Sequence, residues 1–502
     1  MAGRGAICRI LTLLAAALVS SGCGAFSLRL FPPQLGAESL EGGEVELRYD
    51  LNRDGRPDFA ERHAADSQVH HIRFDVQNGG AALPWPTGGD VTDLIIIVDS
   101  IPFEVVEQAW NSGRLRLFAP PSRTIAPFPA VTDPAINDLL GCGRALGVEA
   151  MYYANGAPSA ALREYSNWSN SPWARVMNYR LWAPAHGLAY LDPGTWLLHE
   201  LGRVQAGFHE RHESGDARPY LAYLVGGSSI GARYARKGHE YALDLLDRMC
   251  RAVIHRAHGR VRITLMSDHG HTYEDPVRVR LSEALRVAGF HPVSRIRGPR
   301  DVFIPEWGMI SCASIYTSAP VEAAAAAARL EGVELTLARD PSEAAARLVF
   351  AGEASARIEC LDDGWFRYQT SQGDPLQLAP QWAELCAAGK ARADGAIHDS
   401  VLFEALARHR FPDSLMRLCR ADDLFAHPPD VYVSLSPGHF SGETTFRAVV
   451  GLNATHGSIR DDSSCGFVMT TAGALPPVLR NADVGAALRR AGVHTPDCGA
   501  SE

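Results

Sequence analysis

The hydrophobic residues of this chain fall into short continuous runs, separated by segments in which apolar positions recur every three or four residues. The clearest runs are LIIIV at 94–98, PYLAYLVGG at 219–227 and VRITLM at 261–266. Such runs are typical of strands that are buried on both faces of a parallel sheet. Helical spacing is found at about 195–213 and 234–255. The pattern predicts an α/β fold with a mostly parallel central sheet flanked by helices.

Residues from about 320 to 395 have a different pattern. An alanine-rich helical segment is followed by the alternating segments ARIECL and WFRYQT, which predict a hairpin. We expect a cap or insertion subdomain here, after which DVYVSLSPGHF at 430–440 supplies a further core strand. The predicted organisation is a targeting segment 1–23, an N-terminal extension 24–90, an α/β domain 91–480 that contains the insertion, and a C-terminal tail 481–502.

An acid and a hydroxyl group follow the first part of the predicted sheet. Asp99 comes directly after the run at 94–98, and ligands of open α/β sheets bind at the carboxyl ends of the strands. Downstream, the sequence TDPAINDLL favours a helix with Thr132 or Asp133 as N-cap and Pro134 as its first residue. The free amides of such a helix start attract anions. Thr132 is therefore predicted to lie beside an anion that binds at the start of this helix.

Two further loops carry groups that bind divalent cations. Asp268 and His269 follow the run at 261–266, and a carboxylate next to an imidazole is a good ligand pair for zinc or a similar ion. His456 lies in a short loop before another apolar strand. Together with Asp99 and Thr132, these residues supply carboxylates, imidazoles and a hydroxyl nucleophile. A divalent cation lowers the pKa of a coordinated hydroxyl, which allows the alkoxide to attack phosphorus.

The order and spacing of four motifs resemble the type I phosphodiesterase/nucleotide pyrophosphatase family of the alkaline phosphatase superfamily. The motifs are VDS at 98–100, FPAVT at 128–132, SDHG at 267–270 and THG at 455–457, and the resemblance covers roughly residues 93–471. It implies an alkaline phosphatase-like fold, a small phosphorylated substrate and a covalent phosphothreonine on Thr132. It further implies that Asp99, Thr132, Asp268 and His269 bind one metal, usually Zn²⁺, and that His456 belongs to a second metal site.

The sequence departs from this family at the second metal site. After a strand such as the one at 219–227 the family carries Asp-x-x-Gly-His, whereas this chain has SSIGA at 228–232. A carboxylate and an imidazole are therefore missing, and His456 alone does not hold a zinc ion against water. His239 is a neighbouring histidine, but we expect it on the following helix without a partner acid.

Two functions remain open. One is a metal-dependent phosphodiester or phosphate ester hydrolase with one well-formed zinc site and a degraded second site. The other is a catalytically impaired family member that binds a phosphorylated ligand or a protein partner. Retention of Thr132 favours the hydrolase, because a binding protein does not need a nucleophile. The SSIGA sequence at 228–232 favours the alternative.

A separate metal motif lies in the N-terminal extension. In DLNRDGRPDFAE at 50–61, the residues with side-chain oxygens have the spacing of an EF-hand calcium loop around a central glycine. The preceding VELRYD alternates like a strand, so a complete helix-loop-helix is not expected. We predict a structural Ca²⁺ site, with an ordinary polar turn as the alternative. The predicted ligands are Asp50, Asn52, Asp54, Asp58 and Glu61.

The amino terminus and the net charge restrict location and partners. Residues 1–23 combine Arg4 and Arg9 with an apolar run that is too short to cross a bilayer, as in a signal peptide. Gly22-Cys23 resembles the cleavage box of bacterial lipoproteins, although Ser20 stands where Leu is usual, so a conventional signal peptide and no lipid remain alternatives. We predict export to the periplasm, with membrane contact only through a lipid anchor on Cys23. The net charge of −9 provides no polybasic face, so nucleic acid is not an expected partner.

Cysteine content is consistent with export but does not prove it. The chain has ten cysteines, and no CxxC pair occurs among the eight that follow the targeting segment. In an exported protein some of these are candidates for disulfides. Burial as small apolar side chains is the alternative, and the sequence does not give a pairing.

Overall fold

The computed structural model describes residues 28–498, with gaps at 65, 89–90, 161–162, 165–170, 443–449 and 497. The predicted targeting segment 1–23, including Cys23, lies outside the described residues. Among the helices of the described segments, none is both long and apolar enough to cross a membrane.

Seven strands form the central sheet, and the apolar runs of the sequence supply its middle. Six of them run in one direction, and Cys465–Thr470 is antiparallel to both of its neighbours. The predicted α/β class with a mostly parallel sheet is therefore confirmed. In spatial order the strands are Tyr179–Arg180, Tyr220–Leu224, Thr92–Val98, Val261–Met266, Cys465–Thr470, Ser122–Ile125 and Val478–Arg480.

Helices cover both faces of this sheet. Side chains alternate between the faces of a strand, so Leu94 and Ile96 pack into one core while Ile95 and Ile97 pack into another. This explains why all residues of Thr92–Val98 are buried. The helices that contribute to the first core are Phe103–Asn111, Pro193–Glu213 and Gly226–Arg256. Those that contribute to the second are Thr132–Leu140, Ala183–Leu191 and Asn481–Arg490.

The arrangement brings the functional loops to one edge of the sheet. Asp99, Asp268 and the segment that leads to Thr132 all follow the carboxyl ends of strands that run in the same direction. His456 precedes the antiparallel strand Cys465–Thr470, whose amino end lies beside Ile125 at this same edge. These loops therefore lie at the carboxyl edge of the sheet, as the sequence predicted.

Five antiparallel strands at the amino terminus form a sheet of their own. Tyr49 and Phe59 of this sheet pack into the first core of the central domain. Buried ion pairs also link this sheet to the central domain. Arg251 of the helix Gly226–Arg256 lies 2.9 Å from Glu61 and 2.6 Å from Asp247. The strands are Gln34–Ser39, Glu44–Tyr49, Phe59–Ala64, His71–Phe74 and Ala82–Pro84.

A second large sheet contains the predicted insertion but extends beyond it on both sides. The predicted alanine-rich helix is found at Pro320–Ala328, and the hairpin is formed by Ala354–Cys360 and Trp365–Gln372. The strand at Val431–Leu435 pairs with Cys312–Thr317 and Val333–Asp340, so it belongs to this sheet rather than to the central one. The nine strands are, in spatial order, His291–Pro292, Asp301–Phe303, Cys312–Thr317, Val431–Leu435, Val333–Asp340, Glu343–Ala351, Ala354–Cys360, Trp365–Gln372 and Ile397–His398.

The remaining strands and helices are short. Small two-stranded sheets pair Tyr153–Ala154 with Ala157–Pro158 and Val277–Arg278 with His439–Phe440. Disulfides join Cys142 to Cys498 and Cys360 to Cys419. The other helices are Leu281–Val287, Ala379–Ala387, Asp399–Leu406, Ser414–Cys419 and Asp461–Ser464.

Candidate metal centre

Asp99, Asp268 and His269 meet at the carboxyl edge of the central sheet. One ligand atom from each of the three lies within 4.8 Å of the others, and all three side chains are buried. His269 Nε2 is 3.4 Å from Asp268 Oδ2 and 3.8 Å from Asp99 Oδ1. The structure therefore brings together three of the four side chains that the sequence predicted for the first metal site.

Two atoms of this cluster lack the partner that buried polar atoms normally have. Among the described residues, Asp268 Oδ2 and His269 Nε2 have no hydrogen-bond partner. His269 Nδ1 lies 2.9 Å from the carbonyl oxygen of Gly270, which can only accept, so Nδ1 carries the proton and Nε2 presents a lone pair. Leaving such atoms unpaired costs about 1–3 kcal/mol each. The donor set, two carboxylates and a neutral imidazole, therefore fits a divalent cation such as Zn²⁺.

Hydrogen bonds fix Oδ1 of Asp268 and both carboxylate oxygens of Asp99. Asp268 Oδ1 accepts from the backbone N–H groups of Ser100 at 3.1 Å and His269 at 3.0 Å. The hydroxyl of Tyr223 donates to Asp99 Oδ2 at 2.5 Å, and the hydroxyl of Ser100 donates to Asp99 Oδ1 at 2.6 Å. These bonds orient both carboxylates before any ligand arrives.

Burial and like charge act together on the acids. Burial, together with the negative charge of Asp99, raises the pKa of Asp268 well above its ordinary value. Burial also lowers the pKa of His269, which keeps the imidazole neutral. A divalent charge held here would favour the deprotonated form of Asp268, and the neutral imidazole of His269 could coordinate it.

Thr132 begins the helix Thr132–Leu140, two residues earlier than predicted. Val131, in extended conformation, precedes the helix, so Thr132 is its first residue and Pro134 its third. Asp133 does not cap the helix; its Oδ1 accepts from Trp173 Nε1 at 2.7 Å and from the hydroxyl of Ser171 at 3.1 Å. The prediction of an N-cap at Thr132 or Asp133 is therefore wrong, while the helix itself is confirmed.

The segment before Thr132 is tied to the His456 loop. Ala130 donates its N–H to the carbonyl oxygen of Gly457 at 3.3 Å and accepts from His456 Nδ1 at 3.2 Å. His456 also stacks on His269, with ring centroids 4.1 Å apart and an angle of 17° between the planes. Burial and the neighbouring His269 lower the pKa of His456 to about 3. The structure thus places His456 beside His269, and its assignment to a second metal site stays a prediction.

At two positions where the resembled family carries metal ligands, this chain has other residues, Ser228 and Ala232. Ser228 accepts or donates a hydrogen bond of 2.9 Å with the hydroxyl of Tyr190. Ala232 packs in an apolar cluster with Val450 and Leu452, against Tyr190 and Met309. Neither position therefore offers a carboxylate or an imidazole to a metal ion.

Sequence reasoning missed two residues that contact this centre. Asn481 is fully buried and donates from Nδ2 to the carbonyl oxygen of Asp268 at 2.8 Å, with the carbonyl of Ala135 at 3.3 Å. His271 packs against His456 with centroids 5.7 Å apart. The second histidine of SDHGH was a visible signal for His271, whereas Asn481 lay in the segment interpreted as a tail.

The predicted calcium loop gathers four of its five predicted ligands. Asp54 and Asp58 both accept from Gln77 Nε2, at 3.3 and 3.0 Å, and Asn52 Nδ2 lies 3.2 and 3.4 Å from the same two carboxylates. Asp50 accepts from backbone N–H groups of the loop at 2.6 and 2.8 Å. The loop is an exposed turn held by these hydrogen bonds, and Gln77 is a side chain that the motif did not include. Calcium binding here stays a prediction.

Glu61 does not belong to this loop cluster, so its prediction as a calcium ligand is wrong. It is fully buried, lies 2.9 Å from the guanidinium of Arg251 and accepts from the hydroxyl of Tyr49 at 3.2 Å. The motif spacing assumes a helix after the loop, but here the strand Phe59–Ala64 follows and turns this side chain toward the core.

No family model matches the sequence, and no curated protein matches it. A phosphonoacetate hydrolase from Sinorhizobium meliloti 1021, in complex with phosphonoacetate, aligns with 82% of this chain and 98% of its own, at 13% identity and a TM-score of 0.44. Human ectonucleotide pyrophosphatase/phosphodiesterase 5 aligns with 81% of this chain and 96% of its own, at 9% identity and a TM-score of 0.45. The murine protein gives 10% identity and a TM-score of 0.44. The chain is thus similar to solved structures that include nucleotide pyrophosphatase/phosphodiesterases, the group that its motifs resemble.

Proposed function

We propose that this protein is a metal-dependent hydrolase of phosphodiesters or phosphate esters, with Thr132 as the nucleophile of a covalent phosphothreonine. One observation carries the proposal: Asp99, Asp268 and His269 cluster within 4.8 Å at the sheet edge where the helix of Thr132 begins. Buried carboxylates with unpaired atoms cost stability, and such arrangements concentrate at functional sites.

In this proposal the hydroxyl of Thr132 attacks a phosphate group held at the start of its helix. The first N–H groups of a helix have no partner within the helix, and its amino end carries partial positive charge. Both features favour an anion at this position. Because Thr132 is the first helical residue, its side chain lies where the phosphate would bind.

The cation would be held by Asp99, Asp268, His269 and the hydroxyl oxygen of Thr132. When bound, it lowers the pKa of that hydroxyl and offsets the negative charge of the phosphate. Tyr223 contributes by donating to Asp99 Oδ2, which leaves the second oxygen of this carboxylate directed toward His269. Ser100 fixes both acids, since its N–H donates to Asp268 and its hydroxyl to Asp99.

The proposed reaction consists of two displacements at phosphorus. In the first, a bond forms between the Thr132 oxygen and phosphorus while the bond to the ester oxygen breaks. The hydroxyl proton passes to solvent, and the departing ester oxygen takes up a proton. In the second, water attacks the phosphothreonine, the bond from the Thr132 oxygen to phosphorus breaks, and the hydroxyl is restored.

A second candidate function is a binding protein for a phosphorylated ligand or a protein partner. It is favoured by Ser228 and Ala232, which stand where the resembled family carries a carboxylate and an imidazole. A group that stabilises the leaving oxygen contributes on the order of several kcal/mol to the transition state. We therefore expect slow turnover unless other residues supply this stabilisation.

We also propose that the protein is exported by a bacterium, as a periplasmic protein or as a lipoprotein anchored through Cys23. The disulfides Cys142–Cys498 and Cys360–Cys419 support this proposal, because structural disulfides persist in oxidising compartments.

The test combines metal content with turnover. Elemental analysis should find at least one transition metal per chain, and the wild type should hydrolyse a nitrophenyl phosphodiester. Thr132→Val keeps the side-chain shape but removes the hydroxyl, so its rate should fall by about 1000-fold or more. Metal without turnover on a panel of nucleotides, lipid head groups and phosphonates would support the binding protein instead.

A further inference from the structure

One surface segment carries a charge opposite to that of the whole chain. The net charge is −9, but residues 278–300 contain six arginines and one carboxylate, Glu283. Five of these arginines are exposed, namely Arg280, Arg286, Arg295, Arg297 and Arg300. Charges of one sign on a short segment produce a local potential that the net charge does not report. The segment is therefore a cationic region on an acidic protein.

Packing explains why part of this segment faces outward. On the helix Leu281–Val287, Leu285 packs into a core with side chains of the helix Pro320–Ala328. The last two residues of the first helix, Arg286 and Val287, lie outside this core and are exposed. Val287 is 88% exposed, and no large hydrophobic side chain of the described residues is more exposed. This side chain therefore contributes little to the burial that stabilises the fold.

Val287 borders an open groove of about 390 Å³. The guanidinium carbon of Arg300 lies 5.3 Å from the centre of the Phe290 ring, and both residues line this groove. A positive charge therefore stands beside an apolar wall. Glu322 is the carboxylate that also lines the groove. The small and apolar residues of the wall include Ala284, Ala288, Ala326 and Leu330.

The backbone brings the two ends of the segment together. His291 donates its N–H to the carbonyl oxygen of Arg300 at 2.8 Å. Arg300 Nη1 lies 3.6 Å from the position that a Cβ on Gly289 would occupy, two residues after Val287. The loop between the paired residues carries two further exposed arginines. The exposed aliphatic side chain and the arginines thus belong to one region of the surface.

Few carboxylates neutralise these arginines. Glu283 lies 3.4 Å from Arg280, and Asp301 lies 3.5 Å from the ring of His291. Within the described part of the chain, no ion pair is formed by Arg286, Arg295, Arg297 or Arg300. Four guanidinium groups are therefore free to contact anions from outside the protein.

We propose that Arg286, Val287, Arg295, Arg297 and Arg300 form an arginine surface that binds a lipid bilayer containing anionic phospholipids. A bilayer offers phosphate groups to the guanidinium groups and, directly below them, an apolar phase to Val287. A nucleic acid or an acidic peptide in water offers charge without that phase. The exposed aliphatic side chain among the arginines therefore favours the bilayer.

This contact adds to the lipid anchor predicted at Cys23. A lipid at the amino terminus holds a chain near the bilayer but does not orient it, whereas a charged face next to the membrane does. The proposed export brings the chain to a compartment bounded by membranes. Membrane binding does not rest on the proposed hydrolase, because none of the five residues belongs to the metal centre.

Cosedimentation with vesicles tests the proposal. The protein to use is the chain without residues 1–23, so that neither the targeting segment nor a lipid anchors it. All residues of the described hydrophobic cores follow this segment. The protein should sediment with vesicles of phosphatidylcholine and phosphatidylglycerol but not with phosphatidylcholine alone, and added salt should weaken the binding. No binding, or equal binding to both vesicles, would overturn the proposal.

A pair of double variants separates this surface from the overall charge. Arg286→Gln with Arg300→Gln should lower the partition coefficient about 25-fold, a factor of about five for each arginine. Arg408→Gln with Arg490→Gln is the matched control, because both arginines are exposed and the change in net charge is the same. The control should bind like the wild type. An equal loss in both double variants would refute the arginine surface.

Val287→Asn tests the apolar part at unchanged charge and should lower the partition coefficient about tenfold. Wild-type binding by this variant would contradict insertion of the side chain. Sedimentation velocity without vesicles covers a second copy of the chain as the occupant: a wild-type dimer that Val287→Asn dissociates would replace the bilayer by a dimer interface. Hydrolysis of a nitrophenyl phosphodiester in solution should be equal in the wild type and these variants, so membrane binding and the proposed hydrolase can fail separately.

Discussion

Asn481 donates a hydrogen bond of 2.8 Å to the backbone carbonyl oxygen of Asp268. The same amide nitrogen lies 3.3 Å from the carbonyl oxygen of Ala135, in the first turn of the helix that begins at Thr132. One buried side chain therefore connects the loop of Asp268 to the helix that begins at Thr132. In the proposed site, the spacing between the ligand Asp268 and the hydroxyl of Thr132 would depend on this connection.

Asn481→Ala should weaken both stability and turnover. The variant leaves buried carbonyl groups without donors, which costs about 1–3 kcal/mol. It also frees the Asp268 loop to shift relative to Thr132, so zinc affinity should fall as well. Thermal unfolding, zinc titration and phosphodiesterase rate measure the three effects. Asn78→Ala, an exposed amide in the N-terminal sheet region, is the control and should change none of them. Unchanged zinc affinity in Asn481→Ala would reduce its role to packing.

Removal of either acid should empty the first metal site. Asp99→Ala or Asp268→Ala takes away one of two carboxylates, and the remaining ligands cannot balance the charge of the ion. Elemental analysis after dialysis should find the tightly bound zinc lost in both variants. Asp244→Ala, a carboxylate with 52% of its side chain exposed, should keep it. Wild-type zinc content in either site variant would exclude this cluster as the metal site.

The pH dependence of the metal-free protein provides a test that needs no substrate. Burial and Asp99 raise the pKa of Asp268 in the folded state, so the folded protein holds a proton that the unfolded chain has released. Stability therefore falls as pH rises above the unfolded value of about 4. Asp268→Asn removes this penalty.

In chelator, Asp268→Asn should be more stable than the wild type at pH 7, and the difference should shrink toward pH 4. Urea unfolding measures both proteins across this range. With zinc present the order should reverse, because only the wild type gains stability from binding. A wild type that is the more stable protein in chelator at pH 7 would contradict the described electrostatics.

Features that depend on local sequence were predictable. The strand Val261–Met266 has the predicted bounds, because an apolar run that is buried on both faces ends where polar residues begin. Asp268 lies two residues after the end of that strand, so predicting the strand also predicted that Asp268 lies at the sheet edge. The start of the Thr132 helix was not predictable in the same way. Asp133 is engaged by Trp173, a partner 40 residues away that no local pattern reveals.

Features that depend on distant pairing were missed for the same reason. The strand Val431–Leu435 has the composition of a core strand, but its neighbours in the second sheet are fixed only by the chain topology. Asn481 contacts Asp268 across 213 positions, and Glu61 turns toward Arg251 across 190. The motif spacing predicted the turn at residues 50–58 correctly, but it did not predict that the strand Phe59–Ala64 follows this turn.

The calcium loop gives a prediction that is independent of the catalytic site. Asp54→Ala removes a carboxylate that Asn52 and Gln77 both contact. If Ca²⁺ binds there, the variant should lower the thermal unfolding temperature in calcium and have little effect in chelator. Asp363→Ala, at a turn of the second sheet, is a control that should behave alike in both conditions. An equal loss in calcium and chelator would make the loop an ordinary turn.

The covalent phosphothreonine is the central claim, and acid quenching tests it most directly. Wild-type protein is mixed with a nitrophenyl phosphodiester, quenched in acid within the first turnovers, digested and analysed by mass spectrometry. The account predicts a phosphorylated peptide that contains Thr132 and disappears as turnover completes, with no such peptide from Thr132→Val. Turnover without any phosphorylated peptide, or the modification on another residue, would contradict it.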